Sequence, residues 1–127
     1  MPDEFNMSGN FEGAILNIKS TLNNVQQSVG AIPTSDPTAR NELSGLIQQL
    51  TDVLQKIPAE QQEVAQALAE TTQALVNAAK EPKPNHTMVE ITGEGLLKAA
   101  QNLAKVTPLV LPLASQIVET VTRMIGH

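Results

Sequence analysis

The sequence predicts an all-α fold, an antiparallel bundle of four to five helices, from three observations. Apolar residues recur at intervals of three and four through most of the 127 residues, a spacing that places them on one face of a helix. Prolines and glycines interrupt this pattern roughly every 20–25 residues, which favours separate helices over one long coiled coil. The connections between these helices are short, and short connections favour antiparallel neighbours.

The first predicted helix spans about residues 14–29. Its apolar face steps by three or four residues through Ile15, Ile18, Leu22, Val25 and Val29 to Ile32. Gly30 follows the helix and suits a left-handed cap. Before this helix, the glycines and asparagines of residues 1–13 predict an irregular segment or a short hairpin.

Prolines delimit the second and third predicted helices. Asp36 caps the second helix, with Pro37 at the first position, where a missing N–H costs nothing. This helix carries an apolar face from Leu43 to Ile57 and ends at Pro58, which opens the third helix. The predicted apolar face of the third helix comprises Val64, Ala67, Leu68, Thr71, Leu75 and Ala79. Residues 82–86 are the predicted linker to the fourth helix.

The start of the fourth helix has two interpretations. Thr87 and Glu90 have the spacing of a capping box, which predicts a helix from Thr87 to about residue 106. Gly93 and Gly95 argue against a continuous helix, because each glycine costs about 1 kcal/mol relative to alanine inside a helix. In the alternative, Met88–Thr92 is extended and the helix begins near Gly93. We favour the continuous helix, in which the glycines permit close approach of a neighbouring helix or mark a cap.

The last predicted helix opens at Pro108 or Pro112 and continues to about residue 125. It has a broad apolar face, formed by Val110, Leu113, Ala114, Ile117, Val118, Val121, Met124 and Ile125. The favoured interpretation buries this face inside the bundle or in a dimer interface.

Composition narrows the class of protein. Aromatic residues make up 2% of the chain, so the core is aliphatic, and one domain of residues 1–127 is long enough to form it. The net charge of −5 argues against nucleic acid as a partner, because that binding needs clustered Lys and Arg. The chain lacks cysteine and begins without an apolar leader, which predicts a cytoplasmic protein.

The sequence predicts no metal, cofactor or prosthetic group. Neither His86 nor His127 follows a glutamate at the spacing that di-iron helical bundles use. Ser44 lies in a Leu-Ser-Gly-Leu stretch but lacks the preceding aspartate of a carrier-protein serine. We therefore expect neither metal-ligating nor cofactor-binding residues.

Two pairs of glutamates are candidates for acid–base catalysis. Glu60 and Glu63 share one helix face, and Glu90 and Glu94 share another. Solvated charges near helix starts explain both pairs better than catalysis does. Nothing in the chain has the pattern of a nucleophile beside a base, so we expect no catalytic residues and no enzymatic activity.

Two stretches of the chain resemble a known group of domains. They are residues 5–20, FNMSGNFEGAILNIKS, and residues 88–100, MVEITGEGLLKAA. Both are similar to sequences of a small bacterial family of helical domains that is common in cyanobacteria and has no assigned activity. Its members occur alone or joined to signalling or repeat domains. The resemblance implies an accessory or interaction module and carries no catalytic residues.

These observations predict a non-enzymatic module for protein–protein interaction, whose partner is another protein or a second copy of the chain. Its working surface is whatever apolar face the bundle leaves uncovered. The alternative is a membrane-active or lipid-contacting protein that uses residues 106–126. A membrane partner is disfavoured, because the polar face of the last helix lacks the clustered Lys and Arg that anionic lipid attracts.

Overall fold

A computed structural model of the chain describes residues 6–33, 36–81, 83 and 85–125, with side chains from residue 17 onward. Five α-helices follow one another: α1 (Asn6–Val29), α2 (Pro37–Leu54), α3 (Gln62–Ala79), α4 (His86–Leu103) and α5 (Val110–Met124). A single 3₁₀ turn, Ala59–Gln61, precedes α3, and the described residues contain no strand. The predicted all-α fold is confirmed.

Helix α1 begins earlier than the sequence pattern indicates. It includes Asn6, so the expected irregular segment or hairpin is wrong for residues 6–13, while residues 1–5 lie outside the described part of the chain. Extending an existing helix adds one backbone hydrogen bond per residue and needs no new nucleus. This gain offsets the cost of about 1 kcal/mol that each of Gly9 and Gly13 imposes.

The predicted start of α2 is confirmed, whereas its end lies earlier. Asp36 Oδ1 accepts a hydrogen bond from the backbone N–H of Ala39 at 3.1 Å, and Pro37 is the first helical residue. The helix ends at Leu54 rather than at Pro58. Proline has no N–H to donate to the carbonyl of Leu54, and its ring disfavours helical backbone at the residue before it.

Helix α4 begins at a different cap from the predicted one. Asn85 Oδ1 accepts a hydrogen bond from the N–H of Met88 at 3.1 Å, so Asn85 is the N-cap and the capping box at Thr87 is wrong. Asparagine ranks above threonine at this position, which explains the choice. The helical interpretation of Met88–Thr92 is confirmed, and the helix ends at Leu103, three residues before the expected end.

Helix α5 begins between its two candidate prolines. Its first residue is Val110, whose N–H donates to the carbonyl of Thr107 at 3.1 Å. Pro112 therefore lies in the first turn, where the helix requires no N–H from it.

The predicted apolar faces form one aliphatic core, with one exception. Most predicted apolar residues of the first two helices and the segments after them are buried; these are Ile18, Leu22, Val25, Val29, Ile32, Leu43, Leu46, Ile47, Leu50, Leu54 and Ile57. Val53 is half-buried, Ala39 is buried without having been predicted, and the side chain of Ile15 lies outside the described residues. In α3 the buried face is rotated. It contains Ala65, Leu68, Ala69, Thr72, Leu75, Val76 and Ala79.

The rotation of α3 corrects the prediction that Val64, Ala67 and Thr71 belong to its buried face. Ala67 is exposed, and the other two are only half-buried. Alanines occur on both sides of Leu68 and Leu75. Because alanine fits either a core or a surface, the apolar spacing alone leaves the rotation of this helix open.

The helices pack as a closed ring in the order α1–α2–α5–α4–α3, with α3 returning to α1. Four of these five contacts are antiparallel; α3 and α4 are consecutive helices that pack together across the short connection of residues 80–85. Gln26 near the end of α1 hydrogen bonds with Ser44 near the start of α2. Glu42 near the start of α2 forms an ion pair with Arg123 near the end of α5. Helix α4 runs against α5, since Gly93 faces Val118 while residues near the start of α4 meet the end of α5.

The contact between α1 and α3 is parallel. Gln66 near the start of α3 hydrogen bonds with Thr21, and Lys80 at its end hydrogen bonds with Ser28 later in α1. The number of helices explains this exception. Five helices that alternate in direction cannot close a ring without placing two parallel helices side by side.

Candidate interaction surface

Helix α5 closes the core with its apolar face. Its buried residues are Val110, Leu113, Ala114, Ile117, Thr120, Val121 and Met124, while Val118 and Ile125 are half-buried. Its exposed face is polar and carries Ser115, Gln116, Glu119, Thr122 and Arg123. The broad apolar face of the last helix is therefore part of the interior, one of the two locations that the sequence leaves open.

Gly93 brings α4 close to α5. A Cβ atom added to Gly93 would lie 3.1 Å from Cγ1 of Val118, closer than van der Waals contact allows without movement. The predicted role of glycine in close helix approach is confirmed at this residue. Gly95 differs, because a Cβ atom there would lie 3.6 Å from Cγ2 of Thr71, an ordinary contact distance.

A groove of about 300 Å³ runs along the α4–α5 contact. Its floor is apolar and is formed by Val89, Gly93, Leu97, Val118 and Ile125. Its rim is polar and is formed by His86, Glu90, Glu94 and Thr122. We call this feature the α4–α5 groove. It joins a small apolar surface to a ring of hydrogen-bonding and charged groups, the combination typical of binding sites.

The acidic groups of the α4–α5 groove both lie on its α4 wall. Glu90 and Glu94 are exposed, lie one turn apart on the same wall, and form no ion pair with any described residue. Lys98 lies one turn further along α4 but does not line the groove. The α5 wall adds no charge, and the Thr122 hydroxyl donates to the carbonyl of Val118 at 2.9 Å. Two carboxylates thus stand beside an apolar floor, and the residues that line the groove include no Lys or Arg.

A second apolar groove, of about 360 Å³, lies between α2 and α5. Its apolar lining consists of Val53, Leu109, Pro112 and Leu113. Leu109 is 64% exposed, more than any other large apolar side chain whose burial is described. Asp52 is the charged residue on its rim.

Two further clefts are polar. One, of about 580 Å³, crosses the Glu42–Arg123 ion pair between α2 and α5. The other, of about 370 Å³, lies between α1 and α3 beside Lys80. The first is lined mainly by charged and amide side chains and the second mainly by amide side chains, which are ordinary on the surface of a helical bundle.

The residues that the sequence analysis considers for metal binding, prosthetic-group attachment or catalysis do not form one site among the described residues. His86 is exposed at the edge of the α4–α5 groove, and His127 lies outside the described residues. Ser44 donates from Oγ to Gln26 Oε1 at 2.9 Å and so links α2 to α1. Glu60 is exposed in the 3₁₀ turn before α3, and Glu63 is exposed in the first turn of α3. Within the part of the chain that the structure describes, no three His, Cys, Asp or Glu side chains are grouped to hold a metal.

Sequence reasoning missed the α4–α5 groove. The interpretation of Glu90 and Glu94 as solvated charges agrees with their exposure, but the same four-residue step also places Val89, Gly93 and Leu97 on the neighbouring face of α4. That pattern was visible, but the α5 wall depends on which helix packs against α4. Spacing along one helix does not contain this information.

No described helix is both long enough and apolar enough to cross a lipid bilayer.

The fold defines the general class of the chain as an all-α helical bundle. Comparison with protein-family models, with curated proteins and with solved structures gave no match. The resemblance of residues 5–20 and 88–100 to the bacterial helical-domain family therefore stays a prediction.

Proposed function

We propose that the chain is a non-enzymatic, cytoplasmic interaction module that binds a protein partner through the α4–α5 groove. One observation carries the proposal: the groove combines an open apolar floor between two helices with two exposed carboxylates on its rim, whereas the α2–α5 groove has one charged residue. Grooves between helices commonly receive the apolar side chains of a partner helix or peptide. The exposed Met88 and Ile91, also on α4, add apolar surface to the same helix.

The size of the groove predicts reversible binding. Two aliphatic side chains buried on its floor contribute about 3–6 kcal/mol. The loss of translational and rotational freedom on association offsets much of this. The groove therefore suits a regulated or transient contact, and the surrounding rim must supply the rest of the affinity.

The hydrogen bonds support the non-enzymatic part of the proposal. The hydroxyls of Thr51, Thr72 and Thr122 each donate to the backbone carbonyl four residues earlier. The Ser44 hydroxyl donates to an amide oxygen. These hydroxyls donate hydrogen bonds to the backbone or to a side chain of another helix, whereas a catalytic hydroxyl needs a base within hydrogen-bond reach.

The lipid-contacting alternative for residues 106–126 has less support. Val106 and Leu109 are exposed at the start of this segment. However, the apolar face of α5 lies in the core, and Arg123 is the only Lys or Arg of the segment. Interfacial helices instead direct their apolar face outward and carry clustered cations.

Site-specific photo-cross-linking tests the proposal. A photoreactive amino acid replaces Thr122 on the groove rim in one variant and Ser115, also exposed on α5, in a matched control. In the cells that make this protein, we expect one discrete protein adduct at Thr122 and none at Ser115. Leu97→Asp, checked for folding by circular dichroism, places a charge on the apolar floor and is expected to abolish the adduct.

The results of these experiments distinguish the interaction module from the lipid-contacting protein. An adduct with another protein or with a second copy of the chain, lost in Leu97→Asp, supports an interaction module. Equal adducts at Thr122 and Ser115 would contradict the groove as the binding surface. Flotation of the unmodified chain with anionic liposomes, abolished by Leu109→Ser, would instead favour the lipid-contacting alternative.

A further inference from the structure

We propose that the α4–α5 groove binds a cationic amphipathic segment of a partner protein, with aliphatic side chains on the groove floor and Lys or Arg beside Glu90 and Glu94. This inference rests on the proposed interaction function and adds the chemistry of the partner. Its basis is the juxtaposition of an apolar floor with two unpaired carboxylates on one rim.

The floor sets the spacing of the aliphatic anchors. Val89, Gly93 and Leu97 follow one another at four-residue steps along α4 and all line the groove. They span about 12 Å, since each residue of an α-helix advances the axis by about 1.5 Å. A partner helix presents side chains at the same interval when its apolar residues recur at i and i+4.

The rim sets the charge of the partner. Glu90 and Glu94 follow Val89 and Gly93 by one residue, so the two carboxylates stand one helical turn apart beside the floor. Neither is neutralised by a described residue. Two cations one turn apart on a partner helix match this spacing, and charge complementarity of this kind speeds association and rejects acidic partners.

The same charges disfavour a second copy of the chain as the occupant. Each copy carries a net charge of −5 and the same pair of rim glutamates. Pairing two such grooves face to face brings like charges together, which opposes association. An external cationic partner avoids this repulsion.

A tryptophan reporter tests the inference directly, because the chain contains no Trp or Tyr. Thr122→Trp places the single fluorophore on the groove rim, and Ser115→Trp places it elsewhere on α5. The probe is a synthetic peptide of leucine and lysine with leucines at helical spacing. We expect it to shift the emission of Thr122→Trp to shorter wavelength and to leave that of Ser115→Trp unchanged. A peptide with glutamate in place of lysine should have no effect.

Matched charge variants separate specific binding from general attraction to an acidic protein. In the Thr122→Trp background, Glu90→Gln/Glu94→Gln is expected to weaken binding of the lysine peptide about tenfold through the loss of two exposed ion pairs. Glu60→Gln/Glu63→Gln removes the same charge from another exposed pair and is expected to leave the affinity within about twofold.

Each outcome decides the inference. Equal weakening in the two double variants, equal binding of both peptides, or no response of Thr122→Trp to either peptide overturns the cationic partner. A Thr122 cross-link to an acidic protein or to a second copy also overturns it while leaving the interaction function standing. Equal cross-linking at Thr122 and Ser115 would overturn the proposed function itself.

Discussion

Gly93 and Gly95 stand two residues apart on α4 but meet different neighbours. A methyl group at Gly93 would require Val118 to move by a few tenths of an ångström, whereas Gly95 faces Thr71 across an ordinary contact distance. Val118 is β-branched and holds one strongly preferred side-chain conformation in a helix, so it cannot easily turn aside. The sequence predicted that a glycine here permits close helix approach, but only the packed structure identifies which one.

Alanine substitutions distinguish the two glycines. Gly95→Ala gains the helix propensity of alanine without a clash, and we expect it to raise the free energy of unfolding by about 1 kcal/mol. Gly93→Ala makes the same gain but overpacks the α4–α5 contact, and we expect it to lower the free energy of unfolding by about 1 kcal/mol. Urea denaturation followed by circular dichroism measures both. A stabilising Gly93→Ala would show that the close contact with Val118 is wrong.

Some helix boundaries were predictable from the residues around them, and others were not. The start of α2 was predictable, because Asp36 and Pro37 are a strong cap and a favoured first residue. The start of α4 was not, because two possible caps lie two residues apart and the stronger one determines the boundary. The face of α3 also escaped prediction, since alanines on both sides of the helix fit either a core or a surface.

The cap of α4 has a paired test. Asn85→Ala removes the hydrogen bond to the N–H of Met88, and we expect it to lower the free energy of unfolding by about 1 kcal/mol. Thr87→Ala changes an exposed residue inside the first turn and should alter it by less than about 0.5 kcal/mol. Thermal unfolding of the two variants compares them. The reverse order of effects would restore the capping box at Thr87 as the start of the helix.

The arrangement of the five helices depends on contacts between residues far apart in the sequence. Apolar spacing predicted α1, α2, α3 and α5, a capping pattern predicted α4, and together they predicted a shared aliphatic core. It did not predict that α2 packs against α5, or that α1 and α3 run in the same direction. For the same reason the spacing of residues along α4 predicts the α4 wall of the groove, but it does not predict that α5 forms the other wall.

The parallel α1–α3 contact is testable because the chain contains no cysteine. Thr21→Cys with Gln66→Cys, and Ser28→Cys with Lys80→Cys, are expected to be joined by a short bismaleimide cross-linker. Thr21→Cys with Lys80→Cys is not, because Gln66 and Lys80 are about 20 Å apart along α3. Mass spectrometry identifies the linked products. Efficient linking of positions 21 and 80 would indicate antiparallel helices.

The orientation of α5 is the central claim, because it buries most of the apolar face of the last helix and places Val118 and Ile125 on the floor of the α4–α5 groove. Val121 is fully buried, whereas its neighbour Thr122 is exposed on the groove rim. Thiol labelling of Val121→Cys and Thr122→Cys measures this orientation with two closely matched substitutions. We predict that Thr122→Cys reacts as fast as a free thiol, and that Val121→Cys reacts only as denaturant unfolds the chain. Rapid labelling of Val121→Cys in the folded protein would contradict the account.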